Sequence, residues 1–247
     1  AAYLDLLRRA DSHLRRPEAA AWIVRLQPEQ DNLRAALQWT LDEDRYEDAA
    51  WLMVAVHYFW FLSGHRYEGA RWFARLLPYL RYLPPDLHLA NLICYYSFAY
   101  ETEESQTMEH TRGELLRLVE SSSQPALQAS AWFFLALHTP DITQATENLA
   151  QAVNVARIAN ALPSLGPEFS AMADSDFALA SILGEYAAHL IEQGKFAQAG
   201  PSALEGLELF RARGDYHGMA DCLGYLGRSA LLQGDLAQAR LHLQDVM

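Results

Sequence analysis

The sequence predicts an all-α fold of stacked helical hairpins, and three observations lead to that prediction. Apolar residues recur at spacings of three and four along nearly all 247 residues, which is the period of an α-helix. The breaks between these stretches are short and contain glycine or proline, which end helices. One segment also recurs at an offset of 40 residues, and periods of about 20–50 residues indicate stacked supersecondary units.

Composition excludes several classes of protein. Hydrophobic residues make up 51% of the chain and charged residues 20%, which is typical of a globular protein. The formal net charge of −12 argues against direct binding of nucleic acid, because that requires a basic surface. The longest apolar run, from Trp51 to Leu62, is too short to span a bilayer, which needs about 20 residues. No signal peptide is visible, so we expect a soluble, cytoplasmic protein without membrane contact.

The helices are predicted in two groups. Residues 1–45 form a helical lead-in, and residues 46–247 form about five hairpins. The turns of these hairpins are expected at Gly64, near Glu101-Thr102, and at Pro140, Gly194 and Gly234. The step from Pro140 to Gly194 is longer than the others, so we place an insertion at residues 160–174, where Pro163, Gly166 and Pro167 are typical of a loop. Because the chain starts without Met and stops inside a helical pattern, we expect a piece of a larger protein.

The internal repeat is clearest in the last two hairpins. The string Q-G-K-F-A-Q-A from Gln193 and the string Q-G-D-L-A-Q-A from Gln233 share five of seven residues. We expect Gly227 and Ala239 at the close crossing of the two helices, and Gly234 in the tight turn between them. The spacing of the small and apolar residues resembles a tetratricopeptide repeat, whose hairpins stack into a right-handed superhelix. The residues that carry this resemblance are Leu223, Leu226, Gly227, Ala230, Gly234, Ala239 and Leu243.

A more specific resemblance begins upstream. The string E-Q-D-N-L-R-A-A-L-Q-W runs from Glu29 to Trp39, and G-H-R-Y-E-G-A-R-W runs from Gly64 to Trp72. This succession resembles the helical region that follows the ATPase module in large bacterial ATP-dependent transcriptional regulators of the LuxR/MalT and SARP type. The resemblance implies a TPR-like sensor that binds an effector or an inhibitory protein and controls the ATPase. It also implies ATPase and DNA-binding domains elsewhere in a parent chain.

Catalytic and cofactor motifs are not evident in the sequence. It lacks the G-x-x-x-x-G-K-[ST] loop that cradles phosphates, and its one lysine, Lys195, follows a single glycine. It also lacks G-x-S-x-G and H-E-x-x-H. His57 lies in an apolar stretch, and we interpret it as a core histidine. Cys94 and Cys222 have no metal-binding spacing, so we interpret both as small core residues. We therefore expect no enzyme activity, no metal and no cofactor.

Aromatic residues point to a candidate binding surface. Six Trp, 12 Tyr and 10 Phe are more than one face of each helix can bury. Some therefore line the concave groove formed by the first helix of each hairpin, or else they fill a wide core between repeats, and the sequence leaves both open. Tyr and Trp suit recognition because they combine apolar area with a polar group. The predicted groove residues are Trp51, Tyr58, Phe61, Ser130, Phe134, His138, Glu185, Tyr225 and Arg228.

The sequence therefore predicts a non-catalytic sensor or protein-interaction domain of a bacterial transcriptional regulator. An effector or a protein partner would bind in the groove and control an ATPase switch upstream. The alternative is a purely structural TPR scaffold for protein–protein interaction or oligomerisation, with homo-oligomers as one possible form.

Overall fold

A computed structural model of the chain describes residues 2–99, 105–162 and 175–244. These ranges hold thirteen α-helices and no strand, which confirms the predicted all-α fold of TPR-like helical hairpins. A short 3₁₀ turn at Gln27–Glu29 joins the second and third helices. The helices are α1 (Ala2–Leu14), α2 (Ala19–Leu26), α3 (Gln30–Asp42), α4 (Tyr46–Leu62), α5 (Arg66–Leu80), α6 (Pro85–Ala99), α7 (Ser105–Ser121), α8 (Pro125–Leu137), α9 (Ile142–Ala161), α10 (Ser175–Glu192), α11 (Phe196–Arg213), α12 (Tyr216–Leu232) and α13 (Leu236–Gln244).

The chain divides into two compact units. The N-terminal unit contains α1 to α7 and most of α8, and the C-terminal unit contains α9 to α13. The boundary predicted at residue 45 falls within the N-terminal unit.

Glycines form the turns where the sequence predicts them. Gly64, Gly194 and Gly234 separate α4 from α5, α10 from α11 and α12 from α13, and their φ angles are +79°, +71° and +80°. This left-handed conformation is open to glycine without a steric cost, so these three positions fix the hairpins. The turn expected near Glu101-Thr102 lies outside the described residues. So does most of the insertion expected at residues 160–174, of which 160–162 are described and α9 ends at Ala161.

The core of the N-terminal unit is aromatic. Trp60, Phe73 and Phe98 are almost fully buried, and Phe98 lies over Gly69, where an added Cβ would be 2.4 Å from its ring. Without a side chain at Gly69, α5 can approach α6 this closely. Bulky rings therefore hold α4, α5 and α6 together.

His57 is a core histidine, as predicted. Its Nε2 is 2.8 Å from Ser97 Oγ, and that hydroxyl in turn donates to the carbonyl of Cys94. Since the hydroxyl proton is used there, His57 donates from Nε2. Burial lowers the pKa of His57 to about 3, with a smaller effect of Arg15 and Arg66, so the ring is neutral at physiological pH.

The segment from Glu29 to Trp39 and the segment from Gly64 to Trp72 meet in the structure. Arg34 of α3 donates from Nε and Nη2 to the two carboxylate oxygens of Glu68 in α5, and the Nη2 bond is 2.7 Å long. Trp72 adds a longer hydrogen bond to Glu68, and Asp31 contacts Arg34 from the solvent side. A bidentate guanidinium–carboxylate pair is directional as well as strong. This pair fastens the last helix of the predicted lead-in to the first hairpin.

In the C-terminal unit, α10, α11 and α12 meet at small residues. A Cβ added at Gly206 of α11 would lie 3.2 Å from the carbonyl oxygen of Ala180 and 3.3 Å from Cys222 Sγ. Ala180 and Cys222 are fully buried, and Cys94 is equally buried in the N-terminal unit. Both cysteines are therefore small core residues, as predicted.

The close crossing predicted for the last hairpin is also present. A Cβ at Gly227 would be 2.8 Å from Leu243 Cγ, and Ala239 is buried against α12. An aspartate caps each helix of this hairpin: Asp215 precedes α12 and Asp235 precedes α13, and each accepts a hydrogen bond from the backbone amide three residues later. Such caps satisfy amide groups that have no partner within the helix.

The Arg34–Glu68 pair generates a testable prediction about stability. Hydrogen bonding to Arg34 lowers the pKa of Glu68 below its ordinary value of 4.5. A carboxylate with a lowered pKa stabilises the fold above the ordinary pKa, and the stabilisation is lost as the pH falls through the folded value. Because both side chains are partly exposed, we expect Glu68→Gln to lower the free energy of unfolding at pH 7 by about 0.5–1 kcal/mol.

Urea titration followed by circular dichroism at pH 7 and pH 3 measures this effect. The difference between Glu68→Gln and wild type should shrink at the lower pH. Asp31→Asn is the matched control, because the Asp31 side chain is 92% exposed, and its effect should stay within a few tenths of a kcal/mol. Equal losses for the two variants would contradict a special role of the pair.

Candidate functional site

The nine predicted groove residues all lie in described parts of the chain. Trp51, Tyr58 and Phe61 are on α4, and Ser130 and Phe134 are on α8, with His138 directly after it. Glu185 is on α10, and Tyr225 and Arg228 are on α12. All are half-buried except Arg228, which is exposed. Their role in binding stays a prediction.

The three aromatic residues of α4 are each covered by an arginine. The guanidinium of Arg8 lies 5.7 Å from the centre of the Trp51 ring, and that of Arg15 lies 4.0 Å from the Tyr58 ring. Both arginines come from α1 or the residue that follows it. Arg66 lies 4.2 Å from the Phe61 ring. Helix α1 therefore packs on the face of α4 that was predicted to line a groove.

The predicted groove residues on and after α8 have fewer contacts that point to a binding site than those on α4. Phe134 makes an edge contact with the neighbouring Phe133, with ring centres 5.3 Å apart. Burial lowers the pKa of His138 to about 4, so the ring is neutral at physiological pH. The role of Ser130, Phe134 and His138 in binding stays a prediction.

Glu185 and Tyr225, in contrast, are brought together on adjacent helices. Tyr225 of α12 lies over Gly184 of α10, where an added Cβ would be 3.7 Å from the Tyr225 ring. The pKa of Tyr225 rises to about 12, mainly through burial and then through the negative charges of Glu185 and Asp221. The phenol therefore stays protonated and can donate a hydrogen bond.

Glu185 carries an unusual carboxyl group. Burial is the main cause that raises the pKa of Glu185, and Asp221 and Glu192 raise it further. The charge of His189 partly opposes this rise in the pKa of Glu185. The hydrogen bond of His189 goes to the backbone and not to the carboxylate, since its Nδ1 lies 2.9 Å from the carbonyl oxygen of Glu185. Within the described ranges, neither an ion pair nor a hydrogen bond engages the Glu185 carboxylate. A half-buried carboxylate with a perturbed pKa is a candidate for function.

Glu185 and Tyr225 belong to two stripes of polar side chains, one on α10 and one on α12. Each stripe follows the spacing i, i+4, i+7, which places its members on one side of a helix, and α10 and α12 pack against each other. At the far end of the surface, Arg228 lies 3.7 Å from Glu192. We call this surface the α10–α12 face. It consists of Glu185, His189 and Glu192 on α10 and Asp221, Tyr225 and Arg228 on α12.

Sequence reasoning found Glu185, Tyr225 and Arg228 but missed His189, Glu192 and Asp221. The i, i+4, i+7 spacing could have predicted them. Counted forward from Glu185 it reaches His189 and Glu192, and counted back from Arg228 it reaches Asp221. The face holds three carboxylates, one guanidinium, one imidazole and one aromatic hydroxyl, and the guanidinium lies against the carboxylate of Glu192. This arrangement can bind a cation whose neighbouring apolar group rests on the Tyr225 ring.

A cleft in the C-terminal unit bears on the size of a ligand. It has a volume of about 220 Å³ and lies between α11, α12 and α13. Ligand pockets for drug-sized molecules have volumes of about 300–1,000 Å³, so this cleft is small for such a molecule. Phe196, Leu226 and Ala230 supply its apolar lining, and Gln233, Gln238 and His242 are among its polar residues.

In the part of the chain that the structure describes, no three His, Cys, Asp or Glu side chains are grouped so that they could hold a metal ion. None of the described helices combines the length and the apolar composition that crossing a bilayer requires.

Comparisons with known proteins agree with this architecture. Residues 178–247 match the tetratricopeptide repeat family. Among solved structures, the chain is similar to the crystal structure of BtubC (BKLC) from P. vanneervenii, with a TM-score of 0.64 and 11% sequence identity. The similarity covers 91% of this chain and 87% of that one. No curated protein matches the sequence.

The family match places tetratricopeptide repeats at α10 to α13, which include the α10–α12 face. Repeats of this type are scaffolds for protein–protein interaction and are typically non-catalytic. The likeness to the solved structure extends the same kind of fold over most of the chain.

The raised pKa of Glu185 predicts a gain in stability when the charge is removed. Between the ordinary and the raised pKa the folded state holds the proton more tightly, so stability falls as the pH rises through that window. Above the raised pKa the fold bears the full cost of the half-buried carboxylate. We expect Glu185→Gln to unfold at a higher temperature than wild type at pH 7, and the gain to shrink as the pH falls to 4.

Differential scanning fluorimetry across this pH range measures the effect. Glu208→Gln is the control, because Glu208 is an exposed carboxylate on α11, and its effect should be within about 0.5 kcal/mol of zero. A loss of stability in Glu185→Gln at pH 7 would show that the carboxylate supports the fold.

Proposed function

We propose that this chain is a non-catalytic interaction domain that binds a positively charged protein segment on the α10–α12 face. The observation that carries the proposal is Glu185, whose half-buried carboxylate is held beside Tyr225 with its pKa raised by burial. Such a group lowers stability when it is ionised. Its presence is explained when an incoming cation pairs with it, because an interaction that destabilises the free fold can be retained for binding.

The chemistry of the face defines the partner. Glu185 and Asp221 lie close enough to Tyr225 for their negative charges to act on its hydroxyl, and the chain as a whole carries a net charge of −12, which attracts basic segments over a distance. Arginine or lysine would pair with Glu185, and an adjacent apolar side chain would rest on Tyr225.

We further propose that this binding serves regulation. The strings from Glu29 to Trp39 and from Gly64 to Trp72 support a place next to an ATPase module in a bacterial transcriptional regulator. The hydrogen-bonded pair of Arg34 and Glu68 fastens α3 to α5. A module attached next to these helices would therefore be coupled to the hairpins. In that setting a ligand controls the ATPase only through its different affinity for the two states of the regulator.

Fluorescence anisotropy with short labelled peptides tests the proposal. The peptides share one leucine-containing sequence and differ at one central residue, which is Arg, Lys, Gln or Glu. We expect the Arg and Lys peptides to bind wild type, and Glu185→Gln to weaken that binding by about tenfold, as expected for loss of a charge-assisted contact. Glu208→Gln serves again as the control.

Equal affinity of wild type and Glu185→Gln for the Arg peptide would contradict the proposal. Binding of the Glu peptide as tightly as the Arg peptide would contradict it as well. A shift of thermal unfolding by an oligosaccharide or a nucleotide that Glu185→Gln abolishes would favour a small-molecule effector instead.

A second candidate function is self-association through the last hairpin. Leucines are exposed on α12 and on α13. The most exposed of them is Leu236, the first residue of α13, with an exposed fraction of 69%. The residues that stand 40 positions before Leu231 and Leu243 are Ile191 and Ala203, and both are buried. At these two positions the last hairpin exposes side chains whose counterparts the preceding hairpin buries, and this favours contact with a second copy of this hairpin. The exposed leucines are Leu231, Leu232, Leu236, Leu241 and Leu243.

Light scattering after size-exclusion chromatography measures this association. We expect wild type to form dimers at high concentration and Leu236→Asp to remain monomeric. Leu204→Asp is the matched control, because Leu204 is a 47% exposed leucine of α11, and it should dimerise like wild type. A monomeric wild type at every concentration would contradict this candidate.

A further inference from the structure

Helix α5 has one face in the core of the N-terminal unit and the opposite face in solvent. Phe73, Leu76 and Leu80 are among its buried residues. The exposed residues of the opposite face follow the spacing i, i+4, i+8, i+11, which places them on one side of a helix. We call this face the α5 stripe, and it consists of Tyr67, Arg71, Arg75 and Pro78, together with Tyr82 just after the helix.

The arginines of the α5 stripe have no acidic partner. Within the described ranges, neither Arg71 nor Arg75 forms an ion pair. Glu68 is the one carboxylate of α5, and its two oxygens already accept hydrogen bonds from Arg34. The positive charges of the stripe are therefore not neutralised by the helix that carries them.

Arg75 is held in place for an incoming anion. Its guanidinium lies 4.5 Å from the centre of the Trp72 ring, and a guanidinium that stacks on a ring keeps N–H groups at its edge for hydrogen bonds. Arg71 is one turn away on the same side of α5, and Cβ atoms at this spacing are about 5–6 Å apart. The two arginines can therefore hold two carboxylates at a matching spacing through charge-assisted hydrogen bonds.

The other residues of the stripe suit a protein segment. The exposed fractions of Tyr67 and Tyr82 are 64% and 70%, and tyrosine and arginine are enriched among the residues that carry most of the binding energy at protein interfaces. Pro78 has no amide proton, so it cannot supply the helical hydrogen bond to the carbonyl of Ala74. That carbonyl can accept a hydrogen bond from the backbone amide of a partner.

The charge of the chain favours a short acidic segment over a long polyanion. Residues 1–82, which contain the stripe, hold eleven arginines and eleven acidic residues. The net charge of −12 therefore comes from the rest of the chain, and it repels nucleic acid from the molecule as a whole. Segments that bind anionic membranes carry clusters of about four to eight basic residues, which is more than the two arginines of the stripe.

We infer that the α5 stripe is a docking site for an acidic segment of a protein partner. The segment carries two carboxylates one helical turn apart, which pair with Arg71 and Arg75. An apolar side chain beside them rests on Tyr67 or Tyr82. The stripe lies in the N-terminal unit and takes a partner of opposite charge to the partner of the α10–α12 face, so either site can exist without the other.

Fluorescence anisotropy with a labelled helical peptide tests the inference. The peptide consists of alanine and glutamine with one leucine and two glutamates four residues apart, and a second peptide has glutamine in place of both glutamates. We expect the glutamate peptide to bind wild type, and Arg71→Gln to weaken this binding by about tenfold through loss of a charge-assisted contact. Arg211→Gln is the control, because Arg211 is an exposed arginine of α11, and it should bind like wild type.

The same titration separates the α5 stripe from the α10–α12 face. Glu185→Gln should leave the affinity for the glutamate peptide unchanged. The peptides that test the α10–α12 face carry at most one glutamate, so they engage only one of the two arginines. Because Arg71 is exposed, Arg71→Gln should keep the circular dichroism spectrum of wild type.

Equal affinity of wild type and Arg71→Gln for the glutamate peptide would overturn the inference, and so would equal affinity of wild type for the two peptides. Tighter binding of a thymidine oligonucleotide, lost in Arg71→Gln, would overturn the protein segment in favour of nucleic acid. Dimers of wild type that both Arg71→Gln and Glu185→Gln abolish, measured by light scattering, would overturn a separate partner in favour of the α10–α12 face of a second copy.

Discussion

Helices α10, α11 and α12 approach closely because each has a small residue at the point where they meet. Gly206 leaves space that the carbonyl of Ala180 and the thiol of Cys222 fill, and packing at protein density allows little change in volume at such a point. The rest of the C-terminal unit depends on this contact. It brings α10 and α12 side by side, and so it places Glu185 next to Tyr225. The unusual carboxyl group is thus a consequence of how three helices pack.

In the N-terminal unit, a ring packed over a glycine and an ion pair hold the helices together. Gly69 lies beneath Phe98, and the pair of Arg34 and Glu68 connects α3 with α5. The two residues of that pair come from the segments Glu29 to Trp39 and Gly64 to Trp72. The first segment supplies the guanidinium of this pair and the second supplies the carboxylate, so each segment has a structural role. The α4 face of this unit is covered by α1, whereas on the α10–α12 face the carboxylate of Glu185 has neither an ion pair nor a hydrogen bond among the described residues.

Much of the fold could be predicted from the sequence because the determining signals are local. Gly64, Gly194 and Gly234 form their turns through backbone freedom, and the repeat identifies Gly227 and Ala239 as the close crossing of a hairpin. The placement of α1 on α4 could not be predicted, since it depends on contacts between residues more than 40 positions apart, such as Arg8 and Trp51. Of the candidate site, Glu185 and Tyr225 were found from the repeat phase. His189, Glu192 and Asp221 were not predicted, because they join the candidate site through charges that act on Glu185 from two helices.

The central claim is that a basic protein segment pairs with Glu185 on the α10–α12 face. The most direct test is the pKa of the Glu185 carboxyl group, measured by carbon-13 NMR in the free chain and in the presence of an arginine-containing peptide that it binds. The account predicts a raised pKa in the free chain and a clear fall on binding, because a nearby cation stabilises the charged form. A pKa of Glu185 that is the same in the free and bound chain would contradict the account.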